Sequence, residues 1–170
     1  MSKIKMAIIF VFATIIQTSI INIFDVFGIV PNLILCLVCV IAFLYDNGWK
    51  SIGFGMVSLL LIDVVTLSRI GISSLFILLI GAFVYYVRQK ISLESIISPI
   101  FLGITGTILF DAITYLTNRL LGSQYTVIYF LKFEIIEIIL NVILMTILYL
   151  IMVRNAVREN RLGKIYEEDF

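Results

Sequence analysis

An all-α integral membrane protein, folded as a bundle of six transmembrane helices with both termini cytoplasmic, is the fold class this sequence predicts. Three observations carry it. The first is composition: of 170 residues, 62% are hydrophobic and 14% charged, with a mean hydropathy of +1.17. A soluble domain holds about 45–50% apolar and about 25% charged residues. The second is patterning, since six stretches approach or exceed the length needed to cross a bilayer and only short polar pieces join them. The third is the placement of Lys and Arg. In this topology Lys3, Lys5, Lys50, Arg88, Lys90, Arg154, Arg158, Arg161 and Lys164 share one side, and only Arg69 and Arg119 lie on the other, with Lys132 entering the last span. Cations near span ends mark the cytoplasmic side.

The same arithmetic excludes several functions. A net charge of +1 does not suit a nucleic-acid binder, and two Cys do not make a disulfide scaffold. Histidine is absent, which removes the commonest general base and the commonest transition-metal ligand. No cofactor is expected.

The first span runs from about residue 6 to 23. Lys3 and Lys5 before an apolar run resemble the start of a signal peptide. The run exceeds the roughly 7–15 residues of a signal core, however, and no small-residue cleavage site closes it. It reads as a retained signal-anchor helix. The second span, about 31–45, is short and follows the turn Phe24-Asp25-Val26-Phe27-Gly28; Pro31 suits a first helical turn, where its missing N–H is not needed. The third covers about 49–67, the fourth 72–87, the fifth 96–116 with Pro99 near its start, and the sixth 127–153. These form a single domain, and a short charged cytoplasmic tail, 154–170, ends in Glu167-Glu168-Asp169. Basic residues just inside a membrane favour anionic headgroups.

Polar residues inside these spans carry the functional expectations. Asp63 and Asp111 lie near the outer ends of the third and fifth spans, and Glu134, Glu137 and Asn141 share one face of the sixth. Thr14, Gln17, Thr18 and Asn22 form a polar face in the outer half of the first. Ionisable groups at this depth cost several kcal/mol each unless they pair, snorkel or face water. Four spans therefore place polar groups at one depth, as an outward cluster, shallow pocket or partner interface. In the alternative, structural reading each carboxylate pairs with Arg69, Arg119 or Lys132, or sits protonated against a backbone carbonyl.

Gly55, Ser58, Asp63 and Thr66 are echoed at equal spacing by Gly103, Gly106, Asp111 and Thr114, as in a parallel repeat. Small residues on one face let helices approach closely. Cys36 and Cys39 have the C-x-x-C spacing but lie in an apolar span without a neighbouring His or Lys, so they read as small hydrophobes. Gly53-Phe54-Gly55 lacks the strand and the remaining glycines of a phosphate loop.

These features together resemble the bacterial rod shape-determining MreD family. The likeness rests on the six-span order, Pro31 opening a short second span, Gly53-Phe54, Gly55 eight residues before Asp63, and Ile70-Gly71 leading into the next span. Leu59 stands where a second Gly is usual, and Asn32 where an acidic residue often follows the Pro. The resemblance implies a non-enzymatic subunit of the lateral peptidoglycan-synthesis machinery in the plasma membrane. Such a subunit binds MreC and acts beside the MreB filament and the wall polymerase–transpeptidase pair. The outer segments Phe24–Val30 and Leu67–Gly71, or helix faces beside them, are then expected to carry the partner interface. The rival expectation is the substrate-binding S component of an energy-coupling-factor vitamin transporter. That class presents a small-xxx-small face on its first helix, whereas Ala7 and Ala13 here are six apart.

Overall fold

A computed structural model describes residues 1–20, 29–66, 71–91, 97–122 and 127–168, without the side chains of 20, 127–130, 132–133 and 160–168. The described chain holds six helices: α1 (Lys3–Ile20), α2 (Leu33–Leu44), α3 (Trp49–Val65), α4 (Ile72–Val87), α5 (Ile97–Leu120) and α6 (Val127–Glu168). One helix falls on each apolar stretch. The differences lie at the ends: α5 continues to Leu120, and α6 runs unbroken through most of the segment expected as a tail. No Gly or Pro stands between Val127 and Gly163 to stop α6, and Ala156, on its extended part, is still buried.

The shortest helix is the centre of the fold. α2 packs against each of the other five helices, and every residue from Ile34 to Leu44 is buried. Its sequence, LILCLVCVIAFL, is apolar all round, the pattern of a helix enclosed on every side. Twelve residues rise only about 18 Å, well short of the ~30 Å hydrocarbon core of a bilayer.

The outer surface is aliphatic. Ile4, Ile8, Val11, Phe12 and Ile15 line the exposed side of α1, and Ile135, Ile139, Ile143 and Ile147 form an exposed row along α6. Buried positions instead include Ser51, Ser58, Asp63, Ser74, Thr107 and Asn141. An aliphatic exterior, with a few polar side chains held within an otherwise apolar interior, suits a chain whose solvent is lipid. In that solvent the hydrophobic effect gives helices no reason to associate, so packing, small residues and buried polar contacts must do it.

Glycine supplies the close approaches. A Cβ on Gly55 would fall inside the Val38 side chain, so α3 reaches α2 only without one. On Gly103 it would lie 2.9 Å from Val142 Cγ2 and 3.2 Å from the Val142 Cα, at the α5–α6 contact. Gly106 faces Cys39 Sγ at an ordinary 3.5 Å. Stacked Phe10 and Phe54 join α1 to α3, and edge-on Phe76 and Phe110 join α4 to α5.

One end of the bundle gathers the basic residues. The Met1 amine pairs with Glu159 at 2.6 Å, Arg88 pairs with Asp46, and the Tyr85 hydroxyl donates to the Asp46 carbonyl. The first residues of α1, the α2–α3 turn, the end of α4 and the far part of α6 thus lie together.

Candidate functional site: polar contacts at the opposite end

At the other end the polar side chains fall into three groups rather than one. The first holds the head of α2. Asn32 caps the helix with its own side chain, accepting from Leu35 N–H at 3.0 Å. Gln17 on α1 accepts from Leu33 N–H at 2.8 Å and donates to the Pro31 carbonyl at 3.1 Å. Asn141 on α6 accepts from Asn32 N–H at 2.8 Å and donates to Thr107 on α5 at 3.2 Å. The first N–H groups of a helix have no partner within it, and water is scarce at this depth. Two amide side chains from flanking helices take the place of water. The Cys36 thiol, 3.6 Å from the Asn141 carbonyl, adds a weak contact. Cys36 and Cys39 are free thiols and both are buried. Thr14 and Thr18 turn back to their own helix, donating to the Phe10 and Thr14 carbonyls.

The second group pins the turn between α3 and α4. Asp63, buried in the last part of α3, accepts from Gly71 N–H at 3.0 Å. Gly71 stands just before α4 with φ +92°, a left-handed conformation that residues with a Cβ rarely adopt. The eight-residue spacing between Asp63 and Gly71 is the reach of that turn. Residues 67–70, including Arg69 and Ile70, lie outside the described residues, as do 21–28 with Asn22 and Asp25.

The third group is acidic. Asp111 on α5 lies close enough to Glu137 and Glu134 on α6 to feel both charges, and Glu137 feels Glu134 one turn away. Glu134 is only 9% exposed. Among the described residues, Asp111 Oδ2 and Glu134 Oε1 are buried without a hydrogen-bond partner. Like charges at short range in a low dielectric repel, so this trio is relieved either by protons on its carboxyls or by a cation brought close to it. No set of three His, Cys, Asp or Glu among the described residues could hold a metal ion. The side chain of Lys132 is outside the described residues.

Asp63 stands on α3, which has no close backbone contact with α5 or α6, and its described contact is the Gly71 N–H. The Gly55–Asp63 stretch and its echo at Gly103–Asp111 share some local contacts. Both leading glycines sit at helix contacts, and Thr66 and Thr114 both donate to the carbonyl four residues back. The two aspartates differ in what they meet. Sequence reasoning passed over Gly81, where a Cβ would lie 2.7 Å from Ile52 Cγ1. A lone Gly within an apolar helix gives no signal of what faces it.

The family model for the rod shape-determining protein MreD matches residues 2–155. The chain belongs to the MreD family. The match takes in the glycine contacts, the clamped head of α2, the Asp63–Gly71 turn and the acidic trio, so each belongs to the MreD part of the chain. No curated protein and no solved structure matches. MreD is a shape-determining membrane protein, which accords with the aliphatic exterior and with α5 and α6, both long and apolar enough to cross a bilayer.

Proposed function

We propose that this chain is a non-enzymatic subunit of the bacterial cell-elongation complex, resident in the plasma membrane, where it binds MreC and helps couple it to lateral peptidoglycan synthesis. The match to MreD over residues 2–155 is the observation that carries the reading. MreB and the wall polymerase–transpeptidase pair are the further partners it implies. Six spans with both termini cytoplasmic fit the gathering of Lys3, Lys5, Lys50, Arg88, Lys90, Arg154 and Arg158 toward the end where Met1 meets Glu159.

Asp111, Glu134 and Glu137 then lie toward the extracytoplasmic face. Two buried oxygens without donors favour a contact that supplies them, and a basic side chain at the membrane-proximal part of a partner has that chemistry. The test is purification of the tagged full-length chain from native membranes in mild detergent, with co-purifying proteins identified by mass. MreC is the expected companion. A transporter helix bundle with two ATPases would instead replace this reading with the vitamin-transporter one.

A further inference from the structure

The basic end of the bundle holds a cavity that the wall-synthesis reading does not use. α1 and α6 both pack on α2 but not on each other. Between them, over the C-terminal end of α2 at Tyr45, lies an open groove of about 680 Å³. This volume falls within the roughly 300–1,000 Å³ of small-molecule sites. Its walls are aliphatic, with exposed Ile8 and half-buried Ile9 on one side and exposed Ile151 and buried Met152 on the other. Its polar end carries Lys5 on the α1 wall and Arg158 on the α6 wall.

The charges there do not cancel. Glu159, the one acidic residue lining the groove among the described residues, is already taken by the Met1 amine at 2.6 Å. Neither Lys5 nor Arg158 has an ion-pair partner among the described residues. Two cations without an ion-pair partner among the described residues, one on each helix, therefore line the same largely aliphatic groove, at the end of the bundle where basic residues collect. An apolar channel closed by a divided positive charge complements one kind of molecule, a chain of methylenes ending in a phosphate. Basic pockets between helices on the cytoplasmic side suit acidic lipid headgroups for the same reason.

We propose that the α1–α6 groove binds an anionic phospholipid, with an acyl chain against Ile8, Ile9, Ile151 and Met152 and the phosphate between Lys5 and Arg158. The inference is independent of MreC binding and requires only that the chain sits in a bilayer.

Native mass spectrometry of the full-length protein in detergent tests it, with phosphatidylglycerol and phosphatidylcholine as competing probes. Wild type should retain phosphatidylglycerol preferentially. Lys5→Gln with Arg158→Gln should lower that retention on the order of tenfold or more, because both charge-assisted contacts to the phosphate are lost. Lys50→Gln with Lys90→Gln removes two cations from the same end but outside the groove, and should leave retention unchanged. Ile9→Trp, which fills the slot, should weaken both lipids. Unfolding midpoints in the same detergent identify any variant that is misfolded, and Arg158→Gln alone then carries the charge test. Equal loss in the Lys50/Lys90 control would reduce the effect to a diffuse surface field and overturn the proposal. So would unchanged retention in the groove variant, displacement of the lipid by inorganic phosphate alone, or a protein helix found crosslinked in the slot.

Discussion

Replacing Asn141 with leucine removes the contact on which the head of α2 most depends. The side chain accepts from Asn32 N–H at 2.8 Å and donates to Thr107 at 3.2 Å. Leucine is close in volume, so no cavity term enters. Thr107 loses little, because a helical threonine can donate to the carbonyl four residues back, as Thr105 and Thr114 do. The Asn32 N–H has no such recourse. An orphaned buried donor costs about 1–3 kcal/mol. Side-chain hydrogen bonds between membrane helices average only ~0.6 kcal/mol, since separated helices find other partners. A backbone N–H at a buried helix start finds none, so the larger figure governs, and Asn141→Leu should destabilise by about 2 kcal/mol. Thr107→Val, which strips only the weaker contact, should cost about 0.5–1 kcal/mol. Reversible unfolding in bicelles, followed by steric trapping or added SDS, measures both. An Asn141→Leu protein within about 0.5 kcal/mol of wild type, or no less stable than Thr107→Val, would refute the clamp.

Gly55→Ala should cost roughly 1–3 kcal/mol by overpacking α3 against Val38, and Val38→Ala in the same chain should recover most of it in the same unfolding assay. Asp63→Asn keeps an acceptor for Gly71 N–H and should express normally, whereas Asp63→Leu should lower membrane expression; equal tolerance of both would remove the role assigned to this carboxylate. Gly71→Ala should destabilise by about 1–2 kcal/mol through its left-handed φ alone, seen as a lower unfolding midpoint with partner binding intact. Asp111→Asn with Glu134→Gln should leave the fold intact while reducing MreC co-purification, and unchanged co-purification would place that contact elsewhere.

The helices were legible because lipid imposes one strong rule, that long stretches facing it be apolar. Their ends were less so. The run from Arg154 onward turns polar, yet nothing in it breaks a helix before Gly163, and α6 continues. The polar residues were visible as exceptions to the same rule, but their partners were not. Glu134 and Asn141 share a face, yet seven residues put them about 10 Å apart along the axis. That is far enough for one to meet Asp111 and the other the head of α2. Gln17 and Asn141 bind backbone, which every residue possesses, so no pattern of side chains could point to them as a pair. Asp63 and Gly71 differ because their contact is local, and its length is written in the spacing.

The clamp on α2 also sets a schedule. Asn32 and Asn141 are 109 residues apart, and at about 5–20 residues per second the ribosome needs roughly 5–20 s to make the second after the first. Over that interval the helix destined for the centre waits at the translocon or in lipid with the Asn32 N–H unmatched, while Gln17 and the Asn32 side chain can already meet Leu33 and Leu35. Its all-apolar surface makes the wait tolerable. The last-made helix closes the earliest vacancy, so a nascent chain stalled before Asn141 should be a preferred substrate for membrane proteases.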